Sequence, residues 1–409
     1  MFQCPAIISL RFLATLLSLA ALAALAACGG GGGTPAIPAV GIAFVATEAG
    51  SLPTIYVVST EGGEPVRIPQ EEDEVRAWPT WSSDGEHLAF IAWPNPLETV
   101  TPEAAETSTP QAEETTTPAT EETATPVVQD VEARELVVAN ADGSEPRVVA
   151  RAIFLRSYEP TFRWSPDASR IVYQTPADVG DESPRSSLRL VGVASGRDIP
   201  LAEERLGFFP AWSPDGTEIA FAAYVGEPDE SGQQEDDLFV MDSDGNNLRL
   251  LASRPGVDMA PVWSPDGKHV AWWGVEPGEQ DTLLFMVNVD SGEVTALGKG
   301  AYPAWSPDGK HIAFMYQEEP PPGVMPLQPD VEIYLIDIDT GERTNLTNNP
   351  GGDLWPTWSP DGTEIAFISS RENFLGEIYV MNADGSNVRR LTENNMAERM
   401  FGWKPEQPS

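Results

Sequence analysis

The sequence predicts an all-β fold: a seven-bladed β-propeller of four-stranded antiparallel blades, closed by a C-terminal strand A that joins N-terminal strands B–D. Three observations predict it. A motif, Trp-Ser-Pro-Asp-Gly or a near variant, begins at Trp81, Trp164, Trp212, Trp263, Trp305 and Trp358. Each copy is followed by three β-type runs, so one period holds four strands, the content of one propeller blade. The two ends are complementary: Gly41-Ile42-Ala43-Phe44 has no motif before it, and Phe401-Gly402-Trp403 reads as a motif start with no strands after it.

Residues 1–27 read as a secretory signal, with Arg11 as its only charge and an apolar run from Phe12 to Ala27 that is short for a membrane span. The run ends Leu25-Ala26-Ala27-Cys28-Gly29, which resembles the lipobox of bacterial lipoproteins. That resemblance implies cleavage before Cys28 and a lipid on its sulfur. Residues 28–39, with Gly29 to Gly33, form a flexible tether. Cys4 leaves with the signal, so the mature chain has no internal disulfide to expect and depends on packing.

The propeller is expected over residues 40–405. In the motif, Pro presets the first corner of a turn, Asp bonds nearby backbone and Gly takes the positive-φ position. The motif therefore joins strand A to strand B, as in Ile219-Ala220-Phe221, Ile312-Ala313-Phe314 and Ile365-Ala366-Phe367. Strand C follows (Leu238 to Met241, Ile378 to Met381), then a second Gly turn and strand D. The ends supply one strand A and strands B, C and D of a shared blade, which leaves no open sheet edge. Residues 94–132 are rich in Thr, Pro and Glu and hold no Lys or Arg, so this insert between strands B and C is expected to be disordered. Three further B–C connections are expanded, at Thr175 to Ser186, Gly226 to Asp236 and Gln317 to Val331. Elaboration thus falls on one face of the ring. Long loops there suit binding, and equally they are merely tolerated.

The repeats resemble the TolB-type, WD-like propeller repeat of bacterial envelope proteins and of prolyl oligopeptidase relatives. The resemblance covers roughly residues 40–405. It implies an extracytoplasmic binding module. It does not imply TolB itself, which carries a separate α/β domain and resembles a six-bladed ring. No G-x-S-x-G nucleophile turn accompanies the repeats, so the peptidases' hydrolase chemistry is not expected.

Charge narrows the partners. With 63 Asp and Glu against 24 Lys and Arg, the net charge is −39. Nucleic acid and anionic lipid are excluded as electrostatic partners, so the membrane is expected to be met through the N-terminal lipid alone. Three His, at 87, 269 and 311, share one slot after the motif turn with Glu218, Glu364 and Arg170, which reads as a solvated rim. No metal and no cofactor are expected.

Two slots before the motif Trp draw attention. Five residues before it, four blades carry an acid: Glu159, Asp258, Asp353 and Glu398. Equivalent slots of a ring converge, so these carboxylates are expected to form a negative funnel that attracts a cation or a basic peptide segment; enrichment by the acidic composition alone stays open. Three residues before it stand Trp78, Phe209, Tyr302 and Trp355, expected near the channel mouth for packing or ligand stacking. The function these features imply is a monomeric, lipid-anchored, cell-envelope propeller that binds or scaffolds an envelope protein through its loop-bearing face and channel mouth. No catalytic residue is expected. The alternative is a small-ligand or cation binder, or a carboxylate-based enzyme, at the same mouth.

Overall fold

The computed structural model describes residues 37–48, 50–95, 134–153, 161–176, 186–202, 206–226, 235–317, 330–372, 374–394 and 396–405. Cys28, the signal and most of the tether, the expected insert apart from Pro94 and Asn95, and Glu159 lie outside the described residues; Pro94 ends strand B, paired with Glu74, instead of starting the insert.

Seven four-stranded antiparallel sheets form in chain order, each running from strand A to strand D. Strand A of the first six blades is Glu74–Trp81, Phe162–Trp164, Gly207–Trp212, Val257–Trp263, Ala301–Trp305 and Asp353–Trp358. The closing blade is composite: Ala397–Trp403 pairs with Gly41–Thr47, which continues into Thr54–Ser59 and Val66–Arg67. Its register sets Ile42 against Trp403 and Phe44 against Phe401. The seven-bladed ring with shared closure is therefore as the sequence predicts.

The motif turn builds itself from three side chains. In the sixth blade Ser359 Oγ donates to Asp361 Oδ1 at 2.6 Å and accepts the Glu364 N–H at 2.9 Å. Asp361 Oδ1 also accepts the Thr363 N–H at 3.0 Å. Gly362 completes the turn at φ 73°. The other five copies repeat these bonds, including the copy in which Ala168 stands at the Gly position with φ 57°.

Packing between blades uses two repeated aromatic positions. The motif Trp donates its indole N–H to the preceding blade, at the carbonyl just before that blade's own Trp: Trp164 to Thr80, Trp212 to Arg163, Trp263 to Ala211, Trp305 to Val262, Trp358 to Ala304 and Trp403 to Thr357, at 3.0–3.3 Å. The third residue of the strand B run is a buried aromatic in all seven blades: Phe44, Phe90, Tyr173, Phe221, Trp272, Phe314 and Phe367. Five of them lie against an aromatic of strand C, as Phe367 on Tyr379 at 5.9 Å. Such cross-strand pairs fix register and bury a large apolar area per residue.

Candidate functional site

Strands A contact one another around the ring and so form its inner wall. One irregularity shapes that wall. In five blades two residues of strand A oppose one of strand B, between Ala77 and Thr80, Phe208 and Ala211, Met259 and Val262, Ala301 and Ala304, and Leu354 and Thr357. Each is a β-bulge. The first bulge residue is Trp78, Phe209, Ala260, Tyr302 or Trp355, at φ of 54, 52, 51, 56 and 55°. The second is Pro79, Pro210, Pro261, Pro303 or Pro356, which has no N–H to leave unpaired at the break. A side chain in the left-handed region costs about 1–2 kcal/mol. Glycine would avoid that cost, yet four of the five positions carry a large aromatic.

The wall lines a half-open cavity of about 530 Å³. Trp78, Tyr302 and Trp355 line it, with the motif residues Trp81, Trp358 and Trp403. Phe209, the fourth sequence-predicted aromatic, does not: it packs edge-on against Phe208 at 5.5 Å and its N–H donates to Gln174 Oε1. Trp78 and Tyr302 are braced from behind by Trp93 and Trp273, with centroids 6.5 and 5.2 Å away. Among the described residues lining the cavity, Arg163 is the only charged one.

The acids of the other slot are used differently. Asp258, Asp353 and Glu398 are each about 1% exposed or less, and none lines the cavity. Each is enclosed at the junction with the preceding blade, in a three-residue clasp of constant spacing. An acid on the preceding strand C accepts the backbone N–H of a residue 17 positions later, whose side chain donates to the strand A acid four positions on. The triplets are Asp237, Arg254 and Asp258; Glu332, Asn349 and Asp353; and Glu377, Asn394 and Glu398. Further donors complete each junction: Trp272 Nε1 to Asp258 at 2.8 Å, Arg371 to Asp353 at 3.0 Å, and the Ile378 N–H to Glu398 at 2.9 Å. Burial nevertheless pushes Asp258 up to about 6 and Glu332 and Glu398 up to about 7, against the hydrogen bonds that favour their charge.

For Asp258, Asp353 and Glu398 the expected negative funnel is thus replaced by separate polar clasps, and among the described residues the cavity wall carries an arginine instead. The bulge explains the difference. With a strict period of two, the acid and the motif Trp five residues later would face opposite sides. The extra bulge residue puts both on the side of the preceding blade. Sequence reasoning missed Arg163, which occupies the position just before the motif Trp where other blades carry Thr, Ala, Val or Gly. That departure was the available signal. At the rim, Asp84, Glu86 and His87 bring ligand atoms within 4.8 Å, but Asp84 Oδ1 already accepts Ser82 Oγ and the Glu86 N–H.

Residues 222–407 match the PD40 family, described as the TolB beta propeller domain. The chain is 30% identical over 156 residues to the Protein TolB homolog of Chlorobium chlorochromatii, a match that covers 38% of this chain and 32% of that protein. It spans about a third of that relative's length. The fold is similar to the β-propeller domain of the Trilobed protease from Pyrococcus furiosus, with a TM-score of 0.56, 13% identity and coverage of 88% of this chain and 96% of that one. It is similar also to oligogalacturonate lyase from Vibrio parahaemolyticus, with a TM-score of 0.56, 14% identity and coverage of 83% and 85%. At these identities the two structures share the fold.

Proposed function

We propose, from the match of residues 222–407 to the TolB beta propeller domain, that the chain is a docking module of the bacterial cell envelope, held at the membrane by a lipid on Cys28, that receives a segment of a partner protein in the central cavity. The observation that carries this reading is the ring of left-handed bulge residues, of which Trp78, Tyr302 and Trp355 present aromatic surface to one cavity, the first two braced by Trp93 and Trp273. Rigid aromatic surface binds with little loss of side-chain entropy, and a preformed concave site suits a short segment. Of the carboxylates that a carboxylate-based enzyme would use, Asp258, Asp353 and Glu398 are enclosed in blade junctions, which favours docking over chemistry.

The test is binding of the partner to the Trp355→Ala and Tyr302→Ala variants. Truncating a central aromatic anchor should weaken binding by about 2 kcal/mol, roughly thirtyfold. Wild-type affinity in both variants would show that the partner docks elsewhere.

A further inference from the structure

We infer that two blade junctions are proton-operated latches: one buried proton, on Glu332 between the fifth and sixth blades and on Glu398 between the sixth and the closing blade, holds each junction shut, and its loss loosens the cavity-lining strand that starts there. The latch stands on the geometry of the junctions. Its consequence for docking rests on the reading of the cavity as a docking site.

The first observation is a balance of charge. Each junction encloses two buried acids, Glu332 with Asp353 and Glu377 with Glu398. Each pair has one arginine: Arg371 donates to Asp353 at 3.0 Å, and Arg390 donates to Glu377 at 2.8 Å while sharing itself with the exposed Glu372. Among the described residues, Glu332 and Glu398 meet only neutral donors. These are the Thr347 hydroxyl and the Asn349 N–H for Glu332, and the Thr392 hydroxyl, the Asn394 amide and the Ile378 N–H for Glu398. Asp330 adds a further negative charge beside Glu332. Residues 318–329 and positions 373 and 395 contain no Lys or Arg, so the sequence next to these junctions supplies no second cation. Fully ionised, each pair would bury a negative charge without a counter-charge, which costs far more than a neutral carboxyl. One proton per junction restores the balance.

The second observation is a threonine placed to serve that proton. A Leu-Thr-x-Asn string recurs at 346–349 and 391–394. Thr347 Oγ1 accepts the Ile333 N–H and Thr392 Oγ1 accepts the Ile378 N–H, each at 2.9 Å, and each hydroxyl also meets Oε2 of its glutamate. A hydroxyl donates to a carboxylate and accepts from a carboxyl, so the contact serves both states. Thr347 lies beside Asp353 as well, which can take its hydroxyl proton when Glu332 donates. Burial pushes both glutamates up to about 7, so the proton stays below neutrality and leaves above it. The junction between the fourth and fifth blades is the contrast: Ala252 stands at the threonine position, and Arg254 and Trp272 donate to Asp258 directly. Both latches sit at the root of a cavity strand. Asp353 begins Asp353–Trp358, two residues before Trp355, and Glu398 lies on Ala397–Trp403, which brings Phe401 and Trp403 to the cavity. Losing the proton sets two like charges against each other there.

Two measurements on the protein alone test the latch. Infrared spectroscopy reads the protonated carboxyl band, to which carboxyls of ordinary pKa contribute little at pH 6. The band should shrink from pH 6 to pH 8, and Glu332→Gln and Glu398→Gln should each remove part of that change. Hydrogen exchange, corrected for its intrinsic pH dependence, reads opening of residues 345–358 and 391–403. Opening should rise about tenfold from pH 6 to pH 8, the ratio expected for a group at about 7 in the closed junction and in the ordinary range once open. In each Gln variant its own segment should lose that rise. A wild-type band that does not change overturns the inference, as does a change that both variants retain. Opening that stays flat with pH in the wild type overturns the latch even where the band changes. The wild-type pH series stands by itself, so a variant that fails to fold does not rescue the idea. No partner enters either measurement. Unchanged partner binding in Trp355→Ala and Tyr302→Ala would remove the docking reading and leave the latch to be decided by these two.

Discussion

The carboxylate of Glu398, on the strand that closes the ring, accepts the backbone N–H of Ile378 in the preceding blade at 2.9 Å. Thr392 and Asn394 donate to the same carboxylate at 2.5 and 2.6 Å. Closure thus depends on a buried acid as well as on strand pairing. Glu398→Ala should lower unfolding stability by about 2–4 kcal/mol, because it strands the Thr392 hydroxyl and the Asn394 amide, while the Ile378 N–H keeps only Thr392 Oγ1. The half-exposed pair of Glu364 with Arg389 offers the control: Glu364→Ala should cost less than about 1 kcal/mol. Urea unfolding of both variants measures this, and equal small losses would show that the clasp adds nothing to closure.

The clasps also set a pH dependence. Burial raises Asp258, Glu332, Asp353 and Glu398 above their ordinary values, so the fold holds these protons more tightly than the unfolded chain does. The contribution of all four is full below the ordinary carboxylate range and is lost as pH rises through their folded values, about 6 for Asp258 and about 7 for Glu332 and Glu398. The motif aspartates behave oppositely. Hydrogen bonds, first from the motif Ser, hold Asp167, Asp215, Asp266, Asp308 and Asp361 low, so their contribution is lost as pH falls through their folded values. Thermal stability should therefore peak between about pH 4 and 6 and decline toward pH 8. Glu398→Gln, which cannot ionise, should flatten that decline. A melting temperature that climbs steadily from pH 5 to 8 would contradict the assignment.

Ala168 stands at φ 57° where five motif turns have Gly at 68–73°. Its N–H keeps the turn bond to the Ser165 carbonyl at 2.9 Å, so the turn has not changed shape. Ala168→Gly should stabilise the protein by roughly 1 kcal/mol, since glycine meets no penalty in this region. Thermal melting decides, and a clear loss of stability would show that the Cβ contributes more packing than strain.

The anchoring proposal has its own test. Cys28→Ser should release the protein from the membrane fraction or leave its signal uncut, because the lipid is the proposed attachment. Normal cleavage with continued membrane fractionation would exclude a lipid on Cys28.

The ring was legible in the sequence because its signal is repeated and local. Trp, Ser, Asp and Gly of one motif build one turn, and the orphan runs at Gly41 and Phe401 predict their own pairing. The site was less legible. The acids at 258, 353 and 398 were found by position, but their orientation depends on a bulge between them and the motif Trp. One inserted residue reverses the facing of everything before it. The Trp-Pro, Phe-Pro and Tyr-Pro pairs were visible, yet nothing local to them states a left-handed backbone, which the residue before proline normally avoids. The clasp was readable in principle, since acid, bridging residue and acid recur at spacings of 17 and 4. It joins two blades, so a search within single repeats passes over it.

The central claim is that a partner enters the cavity between the bulge aromatics. Photocrosslinking in intact cells tests it most directly. Benzoylphenylalanine replaces Trp355, which lines the cavity, and in a separate variant Leu250, half-exposed on an outer strand D. The account predicts a defined crosslinked adduct from position 355 and none from position 250. An adduct from position 250 with none from position 355 would place the partner on the outside of the ring and contradict it.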